Sequence, residues 1–320
     1  MTTDISYTTE EISKLLKVSK LTVYDLIKKG ELPAYRVGKQ MRVDSIDLEA
    51  YKARTKGSMA YVNLNANKVD VVGTSVQQQS MGAPATRNLV ITGQDVSLDI
   101  LSKHIEKNVA HYRPLRSYVG SLDSLISMYK GESDIVSTHL FDGDTGQYNL
   151  PYIQKLLTGF SYTVVNLVTR TAGLYVMQGN PKQLHSWNDL SQPGLRMINR
   201  EKGSGARVLL DEQLRLHGIS RQILSGYDQE ESNHIGVAGK VATGEADFGV
   251  GIEKAANMVG GVEFTPLIQE RYDLVMLKNP DNLEWIEQVK QILQSEAFHS
   301  ELRPIQGYDL SQTGKVLFEN

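Results

Sequence analysis

The sequence predicts an α/β protein that carries a small helical unit at its N-terminus. Two short amphipathic helix patterns, joined by a tight turn, lie between residues 7 and 30. From residue 88 onward, strand-like runs alternate with helical patterns, which is typical of folds with largely parallel sheets. Between these regions, residues 57–87 are poorer in hydrophobic side chains and rich in small polar ones, which indicates a linker.

The composition is that of a globular protein with more than one domain. The chain has 320 residues, of which 40% are hydrophobic and 22% charged, and a formal net charge of −3. Because the overall charge is negative, any nucleic-acid interface must be local. The lack of cysteine excludes disulfides, thiolate metal sites and thiol nucleophiles. No secretion signal or membrane-spanning run is present, so we expect a cytoplasmic protein with no membrane partner.

Residues 7–54 predict a helix-turn-helix followed by a hairpin and a closing helix. Thr8 or Thr9 can cap the first helix, and Ser19 can cap a second helix over Lys20–Lys29. The apolar residues that we expect to face inward are Ile12, Leu15 and Leu16 in the first helix and Val23, Leu26 and Ile27 in the second. Residues 32–43 read as strand, glycine turn and strand, which predicts a β-hairpin wing.

This unit has the charge of a DNA-binding surface. Residues 17–42 contain seven Lys and Arg residues and two acidic ones, a local charge of +5. In a helix-turn-helix, the second helix lies in the major groove and presents its N-terminal side chains to base edges. The side chains that we expect to contact DNA are Lys20, Thr22, Val23, Tyr24, Lys28, Arg36, Lys39 and Arg42.

A family resemblance supports this interpretation. The run YTTEEISKLLKVS, followed by VYDLIKKGELPAYRVGKQMRV, resembles the excisionase-type winged helix-turn-helix, a relative of the MerR family, over residues 7–52. The resemblance implies a DNA-binding domain over residues 1–56 and a double-stranded DNA operator as partner. We expect a homodimer, because one such domain contacts little DNA and palindromic operators mirror two-fold symmetry. A small helical domain that binds a protein partner is the alternative.

The remaining residues predict strands whose carboxyl ends are followed by Ser, Thr or Gly. The first three such strands are Leu89–Gly93, Arg116–Ser121 and Ser133–Leu140. Ligands of open α/β sheets bind at this edge. Tyr162–Thr169 then predicts a strand that crosses to a second lobe, and Phe264–Leu277 one that returns.

The segment Asn199–Leu210, NREKGSGARVLL, predicts an anion-binding turn at the start of a helix in that second lobe. Gly203 and Gly205 allow a tight turn, and Ser204 is placed to cap the helix. The unpaired first-turn N–H groups of such a helix attract negative oxygens, and Arg200 and Arg207 flank the turn. A Gly-Ser-Gly turn that serves only as a connector is the alternative.

The second region resembles a type II periplasmic binding protein. The phrases NREKGSGAR and VATGEADFGVG look like the second lobe of the molybdate, tungstate and phosphate binders. The resemblance implies a two-lobed α/β domain over residues 88–320, with lobe 1 at about 88–168 and 268–320 and lobe 2 at about 169–267. The positions that match the oxyanion site of the family are Thr92, Ser97, Ser121, Thr138, His139, Arg200, Ser204, Gly205, Ala206 and Arg207.

Hydroxyl and amide donors at these positions suit a tetrahedral oxyanion, whereas two arginines favour a doubly charged ligand or a carboxylate. Arg170 and Arg200 could instead form salt bridges at the hinge or between lobes. The sequence contains no Gly-x-Ser-x-Gly elbow, His-Glu-x-x-His motif or phosphate-binding loop, so we expect neither an enzyme nor a metal or cofactor site.

The resemblance and these residues together predict a transcriptional regulator that senses a small anion, most plausibly molybdate or tungstate. The alternative is a molybdenum-cofactor-related enzyme or carrier domain that binds a pterin or organic anion, with the helix-turn-helix as a docking module.

Overall fold

A computed structural model describes residues 6–16, 18–28, 32–37, 40–45, 47–48, 51 and 86–320. Contacts between Cα atoms divide the chain into two compact units, residues 1–79 and 80–320. The predicted linker up to residue 85 and the end of the predicted closing helix lie outside the described residues. Within the described residues, no helix is long and apolar enough to cross a membrane.

The first unit contains two helices and a three-stranded antiparallel sheet. Its elements are β1 (Ser6–Thr8), α1 (Thr9–Leu16), α2 (Lys20–Lys28), β2 (Tyr35–Val37) and β3 (Gln40–Asp44), and the sheet order is β1-β3-β2. The predicted helix-turn-helix and hairpin are therefore confirmed. Strand β1 was not predicted, because three residues are too few to show a periodicity.

Both helices of this unit begin at the predicted caps. The backbone nitrogen and hydroxyl of Thr8 donate to Oε2 of Glu11 over 2.8 and 2.9 Å, and the nitrogen of Glu11 donates back to the Thr8 hydroxyl. This reciprocal pair is a capping box. The Ser19 hydroxyl accepts a 3.1 Å hydrogen bond from the nitrogen of Thr22. These bonds satisfy backbone donors that have no partner within the helix.

A small apolar core holds the unit together. The fully buried side chains at its centre are Ile12, Val23, Leu32 and Val43, with Leu48 beside them. Leu15 was expected to face inward, but its side chain is 50% exposed. The reason is geometric: Ile12 and Leu16 lie four residues apart on the face toward the core, and Leu15 lies at the side of that face.

The second unit begins with one α/β lobe. Its elements are β4 (Arg87–Thr92), α3 (Ser97–Asn108), β5 (Tyr112–Ser117), α4 (Ser121–Tyr129), β6 (Ile135–Thr138), β7 (Phe141–Asp142), β8 (Gln147–Tyr148) and α5 (Leu150–Leu156). Strand β4 pairs in parallel with both β5 and β6. The second strand was predicted four residues too late, because Pro114 argues against a strand. Proline is tolerated here because β5 is an edge strand of its sheet.

Strand β9 (Tyr162–Met177) carries the chain into the second lobe, and β13 (Val262–Leu277) carries it back. The elements between them are two short 3₁₀ turns (Trp187–Ser191 and Arg221–Ile223), β10 (Met197–Arg200), α6 (Gly205–Leu216), β11 (Glu230–Glu231), α7 (His234–Ala242), β12 (Phe248–Ile252) and α8 (Glu253–Ala256). Helices α9 (Leu283–Gln294) and α10 (Glu296–Leu302) and strands β14 (Tyr308–Asp309) and β15 (Val316–Glu319) complete the first lobe.

One continuous sheet connects both lobes, and this arrangement defines the hinge. In the part of the chain from residue 86 onward, the strand order is β11-β10-β12-β9-β13-β6-β4-β5, with β14 and β15 also paired to β9. Residues 163–170 of β9 pair with β14 and β15 of the first lobe, whereas residues 172–176 pair with β12 of the second. Residue 170 therefore lies at the crossing point.

Each lobe has apolar clusters that fix its elements against the sheet. In the first lobe, Leu98 and Leu101 of α3 pack with Trp285 of α9 and Phe298 of α10. In the second lobe, Leu209 and Leu210 of α6 pack with Phe248 of β12 and Trp187. These clusters hold the loops at the strand ends in place, which positions the side chains described next.

Candidate ligand-binding site

A cavity of about 620 Å³ lies between the two lobes of the second unit. One wall consists of the loops that follow β4, β5 and β6, which is the sheet edge that the sequence predicted. The opposite wall is the start of α7 together with α8, and the hinge strands contribute two residues. The side chains that line the cavity are Gln94, Asp95, Val96, Tyr118, His139, Arg170, Ser232, Asn233, His234, Ile235, Ile252, Lys254, Ala255, Met258 and Tyr272.

Arg170, on hinge strand β9, is the centre of a buried ion-pair network in this cavity. Its Nη1 donates to Oδ2 of Asp95 over 2.5 Å, and its Nε donates to Oε1 of Glu270 over 2.6 Å. Its guanidinium lies 4.4 Å from the centre of the Tyr272 ring. Burial opposes the charge of Arg170, but the attraction of Glu270 and Asp95 outweighs burial and raises its pKa. The alternative of a hinge salt bridge is confirmed for this residue.

Three of the four carboxylate oxygens of the network accept hydrogen bonds from protein donors, and the fourth, Oε2 of Glu270, is buried and accepts none within the described residues. Oδ1 of Asp95 accepts from the backbone nitrogen and hydroxyl of Ser97 at 2.8 and 2.6 Å, and also from the Tyr308 hydroxyl. Burial raises the pKa of Glu270, but the charge of Arg170 and the nearby His139 ring outweigh burial and lower the pKa to about 2. The pKa of Asp95 is likewise lowered, because Arg170 and its hydrogen bonds overcome the effect of burial.

Beside these carboxylates, donors on Arg170 and at the start of α7 have no partner among the described residues. Among the hydrogen bonds of residues 86–320, none uses Nη2 of Arg170. At the start of α7, Oδ1 of Asn233 caps the helix by accepting from the nitrogen of Gly236 over 2.8 Å. The backbone nitrogens of His234 and Ile235 make no hydrogen bond within the described part of the chain. A helix start with unpaired N–H groups attracts negative oxygens.

His234, the first residue of α7, is a neutral group in this wall. Burial lowers its pKa well below the ordinary value, and the nearby charges of Arg200 and Arg170 lower it further. Its Nδ1 is buried and has no hydrogen-bond partner among the described residues. The ring is therefore uncharged at neutral pH.

Of the predicted oxyanion residues, His139 is the one that lines this cavity. Its Nδ1 lies 2.9 Å from Oε2 of Glu270, although the two atoms are not aligned as a hydrogen bond. Thr92, Ser97 and Thr138 are buried and do not reach the cavity. The hydroxyls of Thr92 and Thr138 have no partner within residues 86–320. The hydroxyl of Ser97 is bound to Asp95, as described above.

The Gly-Ser-Gly turn does not open into the cavity, which corrects the sequence interpretation. The carbonyl of Gly203 accepts a 3.0 Å hydrogen bond from the nitrogen of Leu122 in the first lobe. A Cβ on Gly205 would lie 2.3 Å from Nδ1 of His139, so the His139 ring packs directly on this glycine. Ser204 does cap α6, by accepting from the nitrogen of Arg207 over 3.3 Å. The start of α6, including Ala206, is therefore covered by the first lobe.

The two arginines beside this turn, Arg200 and Arg207, also form hydrogen bonds with protein groups. Arg200 pairs with Glu201 at 2.8 Å and donates to Oε1 of Gln94 over 2.6 Å, which links the two lobes. Arg207 is buried and donates to the carbonyl of Arg200 over 3.2 Å. Ser121 is buried as well, and its hydroxyl accepts from the nitrogen of His139 over 3.2 Å. The expectation that these side chains line the ligand cleft is therefore not met.

In the first unit, the predicted DNA-contact residues divide into exposed and buried side chains. Lys20, Thr22 and Tyr24 are exposed on α2. Val23 is fully buried in the apolar core, so it cannot reach a base edge, and this prediction is corrected. Arg42 is partly buried and donates to the hydroxyl of Ser6 over 3.1 Å.

The remaining three predicted DNA contacts have no described side chain. Lys28 is the last residue of α2, and Arg36 lies in β2. Lys39 lies outside the described residues altogether.

Comparisons with known proteins agree with the division of the chain into a helix-turn-helix unit and a two-lobed unit. Residues 102–294 match the model of the PBP superfamily domain, and residues 6–56 match that of a helix-turn-helix domain. The chain belongs to the PBP superfamily. It is 51% identical over 314 residues to YvgK, an uncharacterized protein of Bacillus subtilis (strain 168), with 98% of each chain covered.

Two solved structures share the fold of the PBP-like domain. The first is EhuB in complex with hydroxyectoine, with a TM-score of 0.52, 12% identity, and coverage of 70% of this chain and 89% of that one. The second is the tungstate ABC transporter from Geobacter sulfurreducens, with a TM-score of 0.50, 13% identity, and coverage of 67% and 97%. At these identities the likeness shows a two-lobed binding-protein fold.

Sequence reasoning missed the helix start that does open into the cavity of the PBP-like domain. Ser232-Asn233-His234 precedes a helical pattern just as Ser204 does, and Asn233 is as good a cap as serine. The sequence prediction relied on glycine, which occurs in the Gly203-Ser204-Gly205 turn and not in Ser232-Asn233-His234. Arg170 was noticed only as a hinge residue, since its partner Glu270 is a hundred residues away in the sequence.

The arrangement can bind an acceptor-rich group between the lobes. Arg170, the first N–H groups of α7 and His234 all offer donors or a neutral ring, and Asp95 and Glu270 are each paired with Arg170. A carboxylate or oxyanion in the cavity would accept hydrogen bonds from these donors.

Proposed function

We propose that this protein is a DNA-binding transcriptional regulator in which a small anion, held between the lobes of the PBP-like domain, controls operator binding. The observation that carries the proposal is that Arg170 and the start of α7 line one cavity with donors that have no partner among the described residues. The helix-turn-helix domain supplies the DNA-binding part. We further propose a homodimer acting in the cytoplasm, and a binding rather than a catalytic role.

The mechanism follows from the position of the cavity at the crossing strands. A ligand that contacts both lobes favours the closed arrangement, and it can shift the conformation only by its difference in affinity between open and closed states. Gln94 and Arg200 already join the lobes beside the cavity. A ligand in the cavity would add contacts of the same kind, because the lining includes His139 of the first lobe and His234 of the second.

Two classes of anion are candidates for the ligand. Molybdate and tungstate are supported by the sequence resemblance and by the named ligand of the Geobacter sulfurreducens neighbour. An organic anion is supported by the size of the cavity, about 620 Å³, which is within the range of ~300–1,000 Å³ for pockets that enclose drug-sized ligands.

The test uses an operator selected from random DNA by the full-length protein. Fluorescence anisotropy then measures the Kd for this operator with molybdate, tungstate, sulfate, phosphate and a set of organic carboxylates, one at a time. We expect one class to change the Kd about tenfold, which is within the ordinary range of allosteric coupling. Failure to select any operator would refute the regulator, and turnover of a pterin would favour the molybdenum-cofactor-related enzyme instead.

A further inference from the structure

The cavity continues from its polar base to an apolar mouth. Four hydrophobic side chains stand exposed around the opening: Val96, Tyr118, Ile235 and Met258. Ile235 and Met258 come from the second lobe, and the other two from the first. The hydroxyl of Tyr118 donates to Oδ1 of Asp99 over 3.0 Å, which holds its ring at the rim. Exposed apolar side chains gathered at one opening mark a contact site for an apolar group.

From these observations we infer that the ligand is an organic anion with an apolar body, and this rests on the proposed function above. Its anionic group lies against Arg170 and the start of α7, and its body extends to the mouth, where it covers Ile235 and Met258. A tetrahedral oxyanion alone does not occupy this site as its physiological ligand.

The volume of the cavity supports this ligand class. A water molecule takes up ~30 Å³ of liquid, so about 620 Å³ corresponds to roughly twenty waters. An ion of five atoms at the base would leave most of that space filled with water against apolar side chains. An organic body displaces this water and gains the hydrophobic contribution of the surface that it covers.

The base of the cavity supports a single anionic group. Both oxygens of Asp95 and Oε1 of Glu270 accept hydrogen bonds from protein donors, and Oε2 of Glu270 is buried 2.9 Å from Nδ1 of His139, so these side chains have little left to offer a cationic ligand. Lys254 adds a cation on the wall, with its Nζ 3.5 Å from the Tyr308 hydroxyl and 5.2 Å from the centre of that ring. Arg170 is 4% exposed and lines the cavity, and its Nη2 makes no hydrogen bond within residues 86–320.

The inference is tested by calorimetry of the full-length protein with acetate, benzoate, 2-naphthoate, neutral 2-naphthamide and molybdate. The three carboxylates share one head group and differ in apolar surface. We expect affinity to rise by about tenfold with each added ring, since ring carbons bury apolar area at the mouth. The amide should bind about tenfold more weakly than 2-naphthoate, because hydrogen bonds to a charged acceptor are stronger.

A pair of matched variants locates the body of the ligand. Ile235→Ser removes an apolar side chain that is 47% exposed at the mouth, and Leu216→Ser removes one that is 48% exposed at the end of α6, away from the cavity. Ile235→Ser and Met258→Ser should each weaken 2-naphthoate about fivefold, and Met258→Ser should leave acetate unchanged. Leu216→Ser should change neither. Met258→Ser, at 64% exposed, provides a second mouth variant that does not disturb the core.

The outcomes separate this inference from the proposed function. Equal affinity across the three carboxylates, tighter binding of molybdate than of any carboxylate, or no effect of both mouth variants would overturn the ligand class. If molybdate binds tightly and changes operator affinity, the regulator stands and the organic ligand is wrong. If 2-naphthoate binds as expected but no ligand alters operator affinity, the ligand class stands and the regulator is wrong.

Discussion

Nε of Arg170 on β9 donates a 2.6 Å hydrogen bond to Oε1 of Glu270, the residue opposite it on β13. This buried ion pair therefore joins the two strands that cross between the lobes, at the base of the cavity. Removing one partner of a buried pair leaves a charge without compensation, which costs more than the pair itself contributes. The hinge thus holds its cationic group in place before any ligand arrives.

The first prediction concerns acid stability. The folded-state pKa of Glu270 is about 2, below its ordinary value of 4.5, so its contribution to stability is present above pH 4.5 and is lost as the pH falls toward 2. Both tryptophans, Trp187 and Trp285, lie in the second unit, so urea unfolding followed by tryptophan fluorescence monitors that unit. Glu270→Gln should lower the free energy of unfolding of this unit at pH 7 by about 3 kcal/mol. It should also reduce the further loss of stability as the pH falls from 4.5 toward 2.

The control for this prediction is Glu284→Gln, an exposed position on α9. In this variant, the free energy of unfolding should decrease with falling pH as steeply as in the unaltered protein. An equally steep slope in Glu270→Gln would mean that other groups cause the acid sensitivity. The half-buried His234 adds a separate loss of stability below its ordinary pKa of 6.5, because the unfolded state takes up its proton there more readily than the folded state.

The second prediction compares two helix caps. Ser204 caps α6 beneath the first lobe, and Asn233 caps α7 at the cavity. Replacing either by alanine should lower stability by about 1 kcal/mol, the usual cost of a lost cap. Only Asn233→Ala should also lower the affinity for the ligand, because the first N–H groups of α7 lose their fixed direction. Calorimetry measures this affinity. If Ser204→Ala weakens ligand binding instead, the ligand binds at the Gly-Ser-Gly turn.

The third prediction concerns closure of the lobes. A Cβ on Gly205 would lie 2.3 Å from Nδ1 of His139, so Gly205→Ala should hold the lobes apart and weaken the ligand about tenfold. Because the chain has no cysteine, spin labels at Lys130→Cys and Arg221→Cys, one on each lobe, would report the separation. Gly239→Ala, where a Cβ meets no atom within 4 Å, is the matched control. An unchanged separation in Gly205→Ala would contradict this account of closure.

The fourth prediction concerns the DNA surface. The side chain of Lys20, at the start of α2, is 53% exposed, and its Nζ lies 3.7 Å from Glu10. Lys20→Ala should reduce the slope of log affinity against log salt by about one unit, the effect of one lost phosphate contact. Lys103→Ala, on the exposed side of α3, should leave the slope unchanged. Anisotropy titrations at four salt concentrations measure both, and identical slopes would remove Lys20 from the interface.

The sequence by itself determined the local features of this protein. The capping box of Thr8 and Glu11, the Ser19 cap and the hairpin were predicted because a helix start or a turn depends on residues a few positions apart. The alternation of strands and helices likewise predicted an α/β region whose ligand edge is the carboxyl end of the strands. The burial of Val23 followed from its spacing on α2, although the same residue was also expected to contact DNA.

Only the tertiary structure decided which helix start faces the cavity. Ser204 and Asn233 cap their helices in the same way, so the local sequence could not distinguish them. Closure of the lobes packs His139 onto Gly205 and covers the first of these helices, while the second stays open beside Arg170. The physical reason is that a cavity is formed by surfaces distant in sequence, and their fit depends on how the lobes close.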